Sequence, residues 1–238
     1  MNYSKRALRL YLANPMYVVG VPTLTLVGMS ALMILIAVIV GIAVGLPLPP
    51  EIAAGFRTSL GPILAFPGFL VTLGVLAVNR NFAMALAFGG TRRHFWFGTS
   101  LGFAVTSFAT AVTGVVLLGL EKLTDGWFVH TAAFDIRALG GGDVPTTFTM
   151  LLLISLLSMY VGALFGTVYR AFGTRALVVA VVLSVCVVVL LFAVGVWQRE
   201  WVSTLVADQG LSAVAGGMAV LAGGVAAVSY ATNRLATV

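Results

Sequence analysis

Asn79 to Phe97 reads N-R-N-F-A-M-A-L-A-F-G-G-T-R-R-H-F-W-F. It is a short, Ala-rich, helix-forming run held between Arg80 at one end and Arg92 and Arg93 at the other, with long apolar stretches on both sides. Phe82, Met84, Leu86 and Phe88 alternate with alanine through it. Flanking arginines hold such a segment at the cytoplasmic surface of a bilayer. Two readings follow: the end of the preceding span lying in the lipid interface, or an apolar helix that docks onto another protein.

Outward from this stretch the chain is apolar. Of 238 residues, 61% are hydrophobic and 8% charged, against roughly 25% charged in a soluble domain. The fold class is therefore all-α and polytopic, an integral membrane protein with one transmembrane domain over residues 1–238. Apolar runs of about 20 residues predict six spans, at 23–46, 60–79, 97–120, 147–169, 176–197 and 211–231. Residues 80–95 form the segment quoted above, and residues 121–146 the largest outer loop. That loop sets Trp127, Phe128 and Phe134 among acids and closes on Gly140-Gly-Gly-Asp143, the composition of an interfacial lid. Three prolines, Pro47, Pro49 and Pro50, end the first span, and Pro62 and Pro67 predict a kink or late start in the second.

The basic residues orient the spans. Lys5, Arg6, Arg9, Arg80, Arg92, Arg93, Arg170, Arg175 and Arg234 fall in one set of segments with no Asp or Glu among them. Glu51, Glu121, Asp125, Asp135, Asp143, Glu200 and Asp208 fall in the other set, beside Arg57, Lys122, Arg137 and Arg199. The positive-inside rule then places both termini in the cytoplasm, and the expected location is the inner (plasma) membrane. Residues 2–15 are read as an amphipathic elbow: Lys5, Arg6 and Arg9 share one sector of a helix over Tyr3 to Leu12, with apolar residues filling the rest. Asn14-Pro15 ends it. Charges scattered through this opening, with no uninterrupted apolar core, do not read as a cleaved leader.

Several functions have no support in the residues. The lone Cys186 sits in the Val-rich fifth span, where it reads as a small apolar residue, and His94 and His130 lie on opposite membrane faces, so no metal site is expected. The net charge of +6 is divided among loops and forms no nucleic-acid patch. Gly98-Thr-Ser100-Leu-Gly102 matches the G-x-S-x-G string of serine hydrolases, but neither histidine is placed to serve as its base, so an enzyme is not expected. There is no phosphate loop for ATP, and no ionisable residue in the middle of a span of the kind that ion-coupled carriers use. A transporter of this composition must conduct passively or take energy from a partner.

Within the spans, Thr99, Thr106, Thr110 and Thr113 recur at helical spacing and share a face at about 100° per residue. Ser155 and Ser158 do the same on the fourth span. Such hydroxyls line a substrate path or pack helix against helix. Gly162-x-x-x-Gly166, Gly41 with Gly45, and the glycines of the sixth span permit close helix approach and, with it, a dimer. Phe88-Gly89-Gly90-Thr91-Arg92 echoes Phe172-Gly173-Thr174-Arg175, two inner corners each with a glycine suited to stop a helix.

The amphipathic elbow, six spans with both ends inside, and F-G-G-T-R-R-H-F-W-F-G-T before the third span together resemble the membrane subunits of ABC-2-type exporters. The motif likeness lies in Gly89 to Gly98, similar to the G-x-x-R-R-x-F-x-x-G pattern of small bacterial permeases for drugs, peptides or lantibiotics, with Tyr169-Arg170-Ala-Phe-Gly173 in support. The resemblance implies a homodimer of permease subunits in the lipid bilayer and a separate ATP-binding-cassette ATPase that carries ATP and magnesium. It implies a coupling surface on Arg80, Phe82, Met84, Leu86, Phe88, Gly89, Gly90, Arg92 and Arg93. The chain departs from larger members in having no big extracellular domain. A sensor or immunity subunit that binds a peptide antibiotic or a kinase fits the same scaffold.

Overall fold

The computed structural model describes residues 3–59, 61–87, 89–198, 204 and 210–234, without the side chains of 3–7, 61–64, 80, 191 and 192. Among the described residues the chain is helical, with no strand. The order is α1 (Tyr3–Leu12), a π-helical turn (Met16–Gly20), α2 (Val21–Val44), α3 (Pro50–Thr58), α4 (Gly61–Ala87), α5 (Arg92–Leu123), α6 (Val144–Trp197) and α7 (Leu211–Asn233). The connection from α5 to α6 holds a further π-helical turn (Gly126–His130) and a 3-10 turn (Arg137–Leu139). Among the described residues, five helices are long and apolar enough to cross a membrane: Met16–Val44, Ala65–Ala87, Arg92–Leu123, Val144–Trp197 and Leu211–Asn233.

Three sequence expectations take a different form. The fourth and fifth spans lie on one helix of 54 residues, α6, whose backbone leaves helical geometry only at Gly173, at φ 81° and ψ −173°. A conformation open to glycine and strained for other residues breaks the helix there with no intervening loop. Residues 80–87 are the end of α4, not a separate helix. Finally, the outer loop is folded: Thr131, Ala132, Ala133, Phe134, Ile136 and Leu139 are all buried.

The stop after α4 is the one the glycines foretell. Gly89 takes φ 78°, its N–H bonds the Leu86 carbonyl at 2.9 Å, and the Gly90 N–H bonds the Ala85 carbonyl at 3.0 Å. These two bonds make a Schellman cap, which satisfies carbonyls that a helix end leaves unpaired.

The chain divides into two compact units. One comprises Met1–Ala13, Val71–Phe103 and Leu156–Val238. Its described helices meet through small residues: a Cβ at Gly74 would overlap the Met159 carbonyl of α6, and one at Gly162 would overlap the Val71 carbonyl of α4. Aromatic rings fill the rest, with Phe103 edge-on to both Tyr11 and Tyr160, and Trp96 against Tyr160 and Tyr230. The second unit comprises Asn14–Leu70 and Ala104–Ser155. Its core contains Leu26, Phe66, Leu118, Phe134 and Leu151, and the absent side chain of Gly114 makes room for Leu151.

Candidate functional site

In the first unit the end of α4 is held from inside. Phe82 is 0% exposed. Its ring stands edge-on to Phe95 of α5, at 5.2 Å between centroids and 84° between planes. The Arg170 guanidinium of α6 lies over the same ring at 4.6 Å and donates to the Asn79 carbonyl at 3.3 Å. A cation over an aromatic face contributes about 0.5–2 kcal/mol depending on its burial, and Arg170 is half-buried, so one phenylalanine joins three helices. Ala85, Leu86 and Leu10 complete the cluster.

This burial corrects the reading of the alternating apolar residues as one docking face. Residues two apart on a helix point about 200° apart, so Phe82 and Met84 cannot share a face, whereas Phe82 and Leu86, four apart, do. The structure turns Phe82 fully and Leu86 partly inward, and leaves Met84 46% exposed. Phe88 and the Arg80 side chain lie outside the described residues.

Beyond the cap, the Thr91 hydroxyl accepts from the His94 N–H at 3.2 Å and opens α5. The Arg92 guanidinium donates to the Arg234 carbonyl, and Asn233 Nδ2 donates to the Arg92 carbonyl at 3.0 Å, which ties the end of α7 to the start of α5. Arg93 is exposed and lies over Phe97 at 5.7 Å. Of the elbow residues Arg9 is exposed, while the side chains of Lys5 and Arg6 lie outside the described residues. Through Leu10 and Tyr11, α1 packs on the unit's own core.

The hydroxyl stripe falls partly in each unit: Thr99 and Ser158 in the first, Thr106, Thr110, Thr113 and Ser155 in the second. All but Thr113 are buried. Thr110 donates to the Thr106 carbonyl at 2.8 Å, Thr113 to Ala109 at 3.0 Å and Ser155 to Leu151 at 2.5 Å. Thr110, Thr113 and Ser155 thus bond carbonyls of their own helices, an arrangement that lets a hydroxyl pack between helices without an outside partner.

A site that the sequence reading passed over closes α5 in the second unit. Glu121 is 2% exposed. Its Oε2 accepts from the backbone N–H of Ala133 at 3.1 Å, of Phe134 at 2.9 Å and from Trp127 Nε1 at 3.1 Å, while Oε1 accepts from the Asp135 N–H at 3.0 Å. Three donors converge on Oε2 and one on Oε1, so the buried carboxylate is held by hydrogen bonds from both the cap backbone and Trp127. Around it the backbone runs left-handed: Asp125, Trp127, Phe128 and His130 take φ of 49°, 58°, 62° and 59°. Such residues cost on the order of 1 kcal/mol or more each and persist only where the surroundings over-determine them. The Glu121 bonds, with Thr131 N–H to the Gly126 carbonyl at 3.0 Å and Leu48 N–H to the Val129 carbonyl at 3.2 Å, supply that constraint. The sequence signals were an acid at the end of a span and the Asp125-Gly126 pair.

At the far side of this cap, Asp143 precedes α6 and accepts from the Thr146 hydroxyl at 2.5 Å and the Thr146 N–H at 3.0 Å. The hydroxyl bond first, then the backbone bond, hold its carboxyl below the ordinary aspartate range, and Lys122 adds to this. No group of three or more His, Cys, Asp or Glu able to hold a metal occurs among the described residues. Comparison with known protein families, characterised proteins and solved structures finds no match to this chain.

Proposed function

We propose that this chain is the membrane-spanning permease subunit of an ATP-binding-cassette exporter, working as a homodimer and powered by a separate ATPase that binds ATP and magnesium. In this reading the break at Gly173 divides α6 into two spans, so the helices cross the inner membrane six times, with both termini and the α1 elbow on the cytoplasmic side. The observation that carries it is the end of α4: a capped helix end joined through Phe82 to α5 and α6, with Met84 outward and the exposed Arg93 beyond the cap. A partner that presses on this helix end moves three helices together, which a frayed helix end in lipid would not do. The absence of a phosphate loop in the sequence supports an external energy source.

The test is purification in a mild detergent, identification of what co-purifies, and the Met84→Ala, Arg93→Ala double change. A large apolar side chain buried at an interface contributes roughly 1.5–3 kcal/mol, so ATPase association is expected to weaken about tenfold or more while the subunit stays folded. A bound kinase in place of an ATPase, or an ATPase held equally well by the double variant, overturns the assignment.

A further inference from the structure

A groove of about 930 Å³ lies within the second unit, between α2, α3 and the first turns of α4. On α2 it is lined by Val21, Leu24, Gly28, Leu32 and Ile36, residues three or four apart that form one stripe along the helix. Ile52, Gly55 and Phe56 face it from α3, and Phe69 from α4. Among the described residues no charged side chain lines it. Its hydroxyls belong to Thr25, which donates to the Val21 carbonyl at 2.8 Å, and to Ser59 at the end of α3. A buried water needs about two to four polar partners, so this lining does not hold water.

Two glycines mark the space as open. A Cβ added at Gly28 or Gly55 would meet no neighbour within 4 Å among the described residues outside its own helix backbone. Leu24, Leu32 and Phe69 are each more than half exposed, so the groove opens sideways from the helices. Because α2 lies in Met16–Val44, a helix long and apolar enough to cross a membrane, that opening faces hydrocarbon. The charged residues of α3, Glu51 and Arg57, are exposed, which sets this short helix at the polar interface. One end of the groove therefore reaches the level of lipid headgroups.

Size selects the occupant. From Val21 to Ile36 the stripe runs about 22 Å at 1.5 Å per residue. Spread over that length, the volume leaves a mean cross-section of roughly 40 Å². A helix with its side chains is about 10–12 Å across, or roughly 80–110 Å², and is too thick to lie in it. A hydrocarbon chain, which packs against neighbouring carbons at about 4 Å, fits. The groove is also longer than the roughly 15 Å that half of a 30 Å hydrocarbon core gives to one leaflet, so a tail is covered along its length.

We propose that this groove binds a membrane lipid, with an acyl chain between the α2 stripe and the rings of Phe56 and Phe69 and the headgroup beside α3. A chain enclosed on several sides gains contacts that a flat face offers on one side only, which separates this lipid from those that coat the other helices. The site stands whether or not the chain is a permease.

The experiment uses the purified full chain in nanodiscs containing phosphatidylcholine with a diazirine on one acyl chain. After photolysis the labelled residues are mapped by mass spectrometry, and the lipid retained through detergent washing is measured. Labelling of residues 21–36 and 52–56 is expected to exceed that of the exposed α6 face from Val178 to Leu190 by about fivefold or more, as contact on several sides implies. Gly28→Leu and Gly55→Leu place a side chain in the open space. Each should abolish the excess labelling and the retained lipid, with helix content and α6 labelling unchanged. Gly119→Leu on α5, a position equally open but outside the groove, should keep both, which separates blocking from a general effect of replacing a helical glycine. Equal labelling of the groove and the α6 face, or lipid kept by both groove variants, overturns the proposal. So does a groove shielded from label in a particle of twice the chain's mass, which assigns this face to a second copy.

Discussion

At the scale of single residues, Phe82 and Met84 separate two kinds of importance. Phe82 is a structural pin, and Phe82→Ala removes a buried ring, an edge-on partner for Phe95 and the seat of Arg170. Large-to-small changes of this kind cost about 3–5 kcal/mol, so the thermal midpoint of the purified chain is expected to fall with no partner present. Met84→Ala at a 46% exposed position should leave that midpoint within error. If the two variants unfold alike, the inward assignment of Phe82 is wrong. The sequence made this segment conspicuous because large apolar residues beside arginines are unusual. It could not tell inward from outward, since the partners, Phe95 and Arg170, are distant along the chain and nothing local encodes where they sit.

At the scale of elements, the helices and their ends were the legible part. Apolar runs are local sums, and the Gly89-Gly90 stop depends on residues within one turn. The cap between α5 and α6 was illegible for the opposite reason: the donors around Glu121 are mostly backbone N–H groups, which carry no sequence signature, and their convergence depends on a left-handed run that only Gly126 hints at. Each buried N–H left unpaired costs on the order of 1–3 kcal/mol. Glu121→Ala is therefore expected to loosen residues 124–143, with faster proteolytic cleavage there at unchanged helix content. Glu121→Gln, which substitutes an amide donor for one acceptor oxygen, should lie between. Cleavage of all three proteins at one rate would show that the carboxylate does not hold the cap.

At the scale of the whole molecule, small residues have two fates. Gly162 and Gly74 are consumed within the chain, where α4 and α6 touch backbone to backbone, and Gly41 is covered by Leu46. A Cβ added at Gly216, Gly217, Gly223 or Gly224 of α7 would meet no neighbour within 4 Å among the described residues outside its own helix backbone. Gly162→Leu is expected to destabilise the isolated subunit by about 1–3 kcal/mol or more, since a carbonyl cannot step aside as a side chain can. Gly217→Leu should leave the subunit intact and abolish the proposed dimer, read as mass in detergent or crosslinking in membranes. A dimer that survives this change has its seam elsewhere. The sequence named all of these but Gly74 as contact formers, yet which were spent internally depended on tertiary pairing. A different freedom belongs to α6 beyond Gly173, where Val178, Val182, Leu183, Val188 and Leu190 are all more than half exposed. A face secured chiefly by hydropathy is loosely bound to any one spelling, so its order can drift, and an evolving chain could recruit it into a new association without surrendering an old one.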